Sequence, residues 1–285
     1  MPSHEDALAW AEEHLGPVTD VRALEGGRTS TMLALTPRDG ESAVLRLMTE
    51  EPWRTHGVEL TTRERDTQRL LDDTPVPAPR TLALDATGVR CGQPAHLMTR
   101  LPGRLELQRS DAASLGLLAD LLVVVHEVEP SVDVRTFQSW AWEAKYVVPA
   151  WASDPGPWED AFALLRTPVP TYDRTFLHRD FGPHNVLWAD GRVSGLVDWV
   201  ETSVGPAWLD VAHAATNLAL RHGNAVADAF AAAYVERTGR VPEPYLDVMD
   251  VVGFLPPPGR ASLVTDPPQL ARLDERLRAV LARVT

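Results

Sequence analysis

The stretch FLHRDFGPHNVLWADGRVSGLVDWVE, residues 176–201, sets His178, Asp180, Asn185 and Asp198 in an otherwise largely apolar run. Ionised side chains are costly to bury without partners. A fold that takes in this stretch must therefore surround these groups with partners or give them a task. Gly182-Pro183 forces a loop just after Asp180, and the β-prone runs NVLWA and VSGLVDW flank an Asp190-Gly191 turn. Pairing those runs predicts a hairpin that brings Asn185 and Asp198 to one end, with Asp180 on the loop before it.

The remainder of the chain is patterned in two unlike parts. Ser3 and Asp6 form an N-cap-like start, and Leu8, Ala11, Glu12 and Leu15 have helical spacing up to Gly16-Pro17. Three β-prone runs follow, VTDVRAL, STMLALT and SAVLRLM, separated by Gly26-Gly27 and by PRDGE, which reads as a meander of hairpins. A helical stretch over residues 57–71 comes next, then two more strands, RTLALDA and AHLMTRL. The sum is a five-stranded antiparallel sheet with one helix inserted after its third strand. LPGR at residues 101–104 is a natural break. Beyond it helical periodicity predicts helices over 112–128, 134–150, 157–165, 209–221, 225–238 and 268–283. The expectation is an α+β protein with a β-rich lobe over 1–101 and a larger, mainly helical lobe over 102–285.

Charge and composition exclude several classes. With 40 acidic against 27 basic residues and a net charge of -13, the field repels phosphate backbones and anionic lipid, which argues against nucleic acid and membrane surfaces and would draw in a cationic small molecule. A single cysteine, Cys91, rules out an intramolecular disulfide or a thiolate metal cluster. The acidic start MPSHEDALAWAEEHLG has neither the basic nor the apolar region of a signal peptide, so the cytoplasm is expected. The most apolar run, LGLLADLLVVV, is interrupted by Asp120 and falls short of the roughly 20 residues a membrane span needs. The expected assembly is a monomer or homodimer.

As chemistry, two oxygen ligands at Asn185 and Asp198 beside a free carboxylate at Asp180 suit a hard cation such as Mg²⁺, which completes its shell with water and substrate phosphates. That layout serves phosphoryl transfer: the metal neutralises phosphate charge and the spare carboxylate orients an attacking hydroxyl. His178 and His184 are read as structural, because a zinc site would want further ligands that their neighbourhood does not offer. A metal-dependent phosphohydrolase built on His178 and Asp180 fails for the same reason.

HRDFGPHN fits the kinase catalytic-loop pattern H-x-D-x-x-x-x-N through His178, Asp180 and Asn185, and GLVDW resembles the short metal-binding strand of the aminoglycoside phosphotransferase family. EGGRTS, VLR, Glu64, LMTRLPGR, Gly205-Pro206 and Asp210 follow that family's order, over roughly residues 18–220. The resemblance, shared with choline kinase-like proteins, implies a bilobal protein-kinase-like fold and an ATP-dependent O-phosphotransferase, with GTP as the alternative donor and Mg²⁺ as the metal. It implies that Asp180 is the catalytic aspartate and that Asn185 and Asp198 hold Mg²⁺. Gly26, Gly27 and Ser30 would cover the phosphates, and the backbone of Met98, Thr99 and Arg100 would take the adenine edge. His178 and Asp210 would brace the catalytic loop.

One departure stands out. The family presents a lysine from the third strand, whereas the only lysine here is Lys145; Arg46 of VLRLM takes the matching place and would bind phosphate and pair with Glu64. Asp210 follows Asp198 by 12 positions, too few for a peptide-docking segment, so the implied acceptor is a small hydroxylated molecule. An antibiotic, choline, homoserine and an amino sugar all remain candidates, and a degenerate nucleotide-binding module without turnover is the alternative. Trp140, Trp142, Trp151 and Trp158 are expected to pack in the core. Asp247, Asp250, Asp266, Asp274 and Glu275 are read mostly as solvated faces, with contact to a cationic substrate as the alternative. His126 is expected to be a hydrogen-bonded core residue, and Cys91 has no assigned role.

Overall fold

The computed structural model describes residues 4–24, 30–130, 134–262 and 264–284, and its chain divides into two compact units, residues 1–104 with 187–201, and residues 105–186 with 202–285. The return of residues 187–201 to the first unit is absent from the sequence reading, which cuts the chain once at 101/102.

The first unit is built on alternation. Helix α1 (Glu5–Leu15) precedes β1 (Val18–Ala23), β2 (Thr31–Pro37) and β3 (Ala43–Leu47); α2 (Gly57–Leu71) then leads to β4 (Thr81–Asp85) and β5 (Ala95–Thr99). The strands pair antiparallel in the order β1-β2-β3-β5-β4. Because side chains alternate across a strand, the register Leu33↔Leu45↔Leu97 stacks leucines on one face. There they meet Ala7, Trp10 and Ala11 of α1 in one apolar cluster. Each leucine fully buried this way contributes on the order of 1.5–3 kcal/mol. The neighbouring register Met32↔Arg46↔His96 turns Arg46 and His96 to the opposite face, where Glu64 of α2 waits for both. The expected sheet and its inserted helix are thus present; the N-cap expectation at Ser3 falls outside the described residues, and His4 holds that cap position.

A two-residue strand, β6 (Arg104–Leu105), follows β5. The second unit then opens with α3 (Ala112–His126), capped by Asp111, whose carboxylate accepts from Ser114 N. It continues through α4 (Gly156–Leu165) and the short strand β7 (Thr175–Leu177). The hairpin of β8 (Val186–Ala189) and β9 (Arg192–Leu196), which from residue 187 belongs to the first unit, turns at Asp190 and Gly191, both at positive φ (50° and 74°), as a type I′ turn requires. After it come β10 (Ser203–Gly205), α5 (Trp208–His222), α6 (Asn224–Thr238), α7 (Pro244–Gly253) and α8 (Pro267–Leu281). β10 pairs antiparallel with β7. α5 is buried almost all round and packs on α6, α7 and α8, which makes it the central helix of its unit.

Two expectations fail here. Residues 134–150 form no α-helix: Thr136 bridges Val204, Phe137 N donates to Val204 O, and only Glu143–Lys145 winds into a 3-10 turn. The aromatic residues decide this, because Trp140 and Tyr146 each meet a different ring, His213 and Phe162, and these tertiary contacts outweigh a weak helical propensity. Conversely α7 is missing from the sequence reading although its signals were present: Glu243 caps it by accepting from Tyr245 N, and Pro244 stands in its first turn. Among the described residues no helix is long and apolar enough to cross a membrane.

Gly103 in the LPGR break sits at φ 97°, and a Cβ there would come 2.5 Å from Trp188 O and 2.4 Å from Ser194 Oγ. Gly103→Ala is expected to cost about 2 kcal/mol or more, from the left-handed penalty of 1–2 kcal/mol plus the clash with backbone. Chemical denaturation would register this as a lower midpoint.

Candidate active site

The loop carrying Asp180 is shaped by a carboxylate. Asp210, in the first turn of α5 and fully buried, accepts from His178 N at 2.8 Å and Arg179 N at 2.7 Å, and His126 Nε2 lies 3.3 Å away. Arg179 takes φ 74°, and its guanidinium lies over the Trp140 ring. His178 is also fully buried, and its Nδ1 accepts from Asp180 N at 3.2 Å. Both residues therefore sit where a brace for the loop would sit.

Asp180 itself is not free. Its Oδ1 is 3.0 Å from His213 Nε2 and 3.1 Å from His184 Nε2, and its Oδ2 accepts from Asn185 Nδ2 at 2.9 Å. The same Asn185 Nδ2 also donates to Asp180 O at 2.8 Å. Both amide protons being spent, the asparagine's orientation is fixed and Oδ1 is left to face a ligand. Burial alone would raise the Asp180 carboxyl, but hydrogen bonds and charge from His184 and His213 outweigh it and hold it well below the usual range. Burial likewise opposes the charged form of His213, yet Asp250 and Asp180 on its two nitrogens raise it to about 10. The Asp250 Oδ1–His213 Nδ1 distance is 2.9 Å.

In the first unit, Arg46 and Glu64 are both buried, and Arg46 Nη2 lies 3.3 Å from Glu64 Oε1 while Nη1 donates to Asp198 Oδ1 at 3.0 Å. Glu64 Oε2 meets His96 Nδ1 at 2.9 Å, His96 Nε2 meets Thr81 Oγ1 at 2.9 Å, and that hydroxyl donates to Gln68 Oε1 at 2.8 Å. Burial would raise Glu64, but Arg46 and His96 pull it down to about 2. Asp198 takes φ 68°, a left-handed conformation uncommon for its type, and its side chain is about one third exposed.

The expected residues are thus brought together in two groups. Asp180, Asn185, His178 and Asp210 are linked in the second unit; Arg46, Glu64 and Asp198 are linked in the first. Ser30 is buried, whereas Gly26 and Gly27 lie outside the described residues. Met98 is buried in β5, and the N–H groups of Thr99 and Arg100 are already given to Arg80 O and Ser42 O, which leaves fewer backbone donors for a base edge than expected. The acidic residues read mostly as solvated faces do not all lie on one: Asp247, Asp250 and Asp274 are buried, and Asp250 is tied to His213 and Asp274 to Ser153 and Trp158. Asp266 and Glu275 are exposed. Trp158 is a core residue, but Trp142 is 45% exposed and the expectation of burial fails there. His126 is hydrogen-bonded to Tyr234 Oη at 2.7 Å, as expected of a core histidine. Cys91 is buried, which with Asp85 raises its thiol to about 12.

Sequence reasoning missed His213 and His96, and named Asp250 only as an acidic group and not as the partner of a histidine. A signal existed for His213, which stands three residues after Asp210 and so shares its helix face. Asp250 lies in the apolar run VMDVV, where a carboxylate must find a partner.

The phosphotransferase enzyme family matches residues 20–245. The chain belongs to that family. The aminoglycoside phosphotransferase APH(4)-Ia aligns with a TM-score of 0.68 at 16% identity, covering 99% of this chain and 100% of its own. A thermostable mutant of it, in a ternary complex with ADP and hygromycin B, aligns with 0.68 at 16% identity over 97% and 98%. The amicoumacin kinase hAmiN, complexed with AMP-PNP, Ca²⁺ and Ami, gives 0.63 at 11% identity over 99% and 94%. At these identities the likeness is one of fold, and the fold is the kinase-like α+β one expected. No curated protein matches the chain in sequence.

The lowered Glu64 carboxyl carries a stability prediction for this phosphotransferase. Its folded value of about 2 lies below the unfolded value of about 4.3, so its contribution is fully present above pH ~4.3 and lost as pH falls toward 2. Glu64→Gln should lower the urea midpoint at pH 6, and the gap to wild type should narrow between pH 4.5 and about 2.5. An unchanged gap across that window would remove Glu64 as the titrating group.

Proposed function

We propose that this chain is a small-molecule kinase that transfers the γ-phosphoryl group of ATP to a hydroxyl of a small hydroxylated acceptor. Membership of the phosphotransferase family supports the reaction type, and the fold-level neighbours complexed with ADP or AMP-PNP support the donor. One observation carries the residue assignment. Asn185 commits both amide protons to Asp180 and so leaves its Oδ1 uncommitted, while Asp180 keeps one acceptor position.

An ionised carboxylate has about four lone-pair sites. Three are taken by His184, His213 and Asn185, and the side chain is 30% exposed, so one site remains for an acceptor O–H. Asp180 orients that hydroxyl. As its oxygen bonds the γ-phosphorus and ADP departs, the hydroxyl proton passes to Asp180.

Each donor by itself suits a hard cation, since Asn185 Oδ1 in the second unit and the Asp198 carboxylate in the first are oxygen ligands of the kind Mg²⁺ selects. Such an ion supplies neutralisation of phosphate charge. Arg46, whose Nε has no hydrogen-bond partner among the described residues, adds a fixed positive charge in place of the family's lysine. His178 and Asp210 hold the loop and take no part in bond making.

For the acceptor, hydroxylated amines are the class to test first, because the chain is strongly acidic overall and the neighbours include an aminoglycoside phosphotransferase solved with hygromycin B and an amicoumacin kinase. Antibiotic inactivation and metabolite phosphorylation both fall within that class. The tie between Arg46 and Asp198 favours a second reading, a nucleotide-binding module without turnover.

With Mg-ATP and a panel of aminoglycosides, choline, homoserine and amino sugars, one acceptor should gain the mass of a phosphate. Asp180→Asn should lower kcat for that acceptor by about 10²–10⁴-fold and leave Mg-ATP binding, read by calorimetry, within a few-fold of wild type. Wild-type turnover in the variant overturns the role of Asp180, and Mg-ATP binding without transfer to any acceptor favours the module.

A further inference from the structure

We propose that Asp180, His184 and His213 form a binding site for a divalent transition ion of the zinc type, and that an ion held there silences the phosphotransferase by occupying its acceptor-facing carboxylate. The second clause rests on the kinase reading; the first does not.

The geometry comes from three side chains on two elements. Asp180 and His184 lie four residues apart on the loop after β7, and His213 reaches them from the second turn of α5. One ligand atom from each lies within 4.8 Å of the others, and Asp180 Oδ1 stands 3.0 Å from His213 Nε2 and 3.1 Å from His184 Nε2. With Zn–N and Zn–O bonds of about 2.0–2.1 Å, tetrahedral ligand atoms lie about 3.3 Å apart. The two Asp180–imidazole pairs thus need to part by only a few tenths of an ångström, and the imidazole nitrogens lie within 4.8 Å of each other.

The surroundings are built as a metal site's surroundings are. His213 Nδ1 is backed by Asp250 Oδ1 at 2.9 Å, and the Asp250 side chain is only 2% exposed. This carboxylate–histidine arrangement fixes the ring and turns Nε2 to the ion. Phe254 stacks on the His213 ring and Trp140 meets it edge-on, so the imidazole cannot rotate away. Asn185 holds Asp180 Oδ2, which presents Oδ1. The His184 ring lies where a side chain at 182 would be, since a Cβ on Gly182 would come 2.8 Å from His184 Cε1. The glycine of the loop therefore makes room for a ligand.

Ligand chemistry selects the ion. Two imidazoles and one carboxylate suit Zn²⁺, Co²⁺ or Ni²⁺, whereas Mg²⁺ prefers oxygen alone. Three protein ligands leave a fourth position, and Asp180 and His184, at 30% and 35% exposure, lie open on that side. The site thus differs in ligand chemistry from the oxygen donors of Asn185 and Asp198.

The test uses the full chain stripped with chelator and titrated with Co²⁺. One equivalent should bind with the intense visible absorption of four-coordinate cobalt, and Zn²⁺ should bleach it. His184→Ala, a change at a half-buried position, should weaken binding by at least ~10-fold, and Asp250→Asn by about 10–100-fold. His56→Ala, at an exposed histidine of the first unit, should leave the absorption unchanged. His213→Ala is expected to behave like His184→Ala if it folds, but the conclusion does not need it. In parallel, Zn²⁺ at site-saturating concentration should abolish Mg-ATP-dependent transfer by wild type. Absence of the cobalt band, or equal binding by His184→Ala, overturns the site whatever the transfer assay gives. Retained transfer at saturating Zn²⁺ overturns the silencing. Cobalt binding as described in a chain that phosphorylates nothing supports the site and removes the kinase reading instead.

Discussion

Two backbone N–H groups, at His178 and Arg179, point into a region of the second unit that is closed to solvent, and a single carboxylate, Asp210, receives both. The arrangement forces Arg179 to φ 74°, which costs about 1–2 kcal/mol for a residue with a Cβ. Charge-assisted hydrogen bonds of about 1.5–3 kcal/mol each offset that strain. Asp210 is in turn held by His126, and His126 by Tyr234, so the loop conformation is referred to α3, α5 and α6 rather than to its own residues. Asp180 follows directly, and its direction is therefore a property of helix packing. This explains why a loop with only one short β-strand before it can hold a carboxylate at a defined angle.

The first unit solves a similar problem with opposite signs. Arg46 is a cation in the sheet interior, and its charge is met by Glu64 and Asp198, while His96 and Thr81 extend the chain of partners. A lysine at this position would offer one ammonium; the guanidinium's planar fork reaches two carboxylates at once. Replacing a buried ion network by apolar residues is often neutral for stability, so the network is better explained by what it positions than by what it stabilises. It fixes Asp198, whose backbone at φ 68° is otherwise unfavourable, at the end of the β8–β9 hairpin.

Much of this is legible in the amino-acid sequence alone. The five strands could be read because alternation is a strong local signal and the turns between them carry glycine or Asp-Gly. Asp180, Asn185 and Asp198 could be read because polar residues in an apolar stretch have few innocent explanations. What was not legible depended on contacts between residues far apart in sequence. The segment 134–150 has helical spacing, yet its Phe137, Trp140 and Tyr146 rings are claimed by three different partners outside it, Tyr172, His213 and Phe162. The acidic residues 247, 250 and 274 look like surface charge until their buried partners Arg276, His213 and Trp158 are known. His213 has a local signal in its spacing from Asp210, but its partners are not local, since they are Asp180 33 residues earlier and Asp250 37 residues later.

The pinning of Asp180 bears on how it would act. A general base works best when its pKa lies near the working pH, and two imidazoles hold this carboxylate well below that. Deprotonating an alcohol in the ground state is therefore not its strength. In a loose transition state the nucleophile keeps its proton until late, and what matters is the angle at which its oxygen approaches the phosphorus. A carboxylate fixed on three sides, with one lone pair open, supplies that angle without reorganisation. In the proposed role the histidines would trade basicity for direction, and the Asp250–His213 pair extends that fixation one layer into α7.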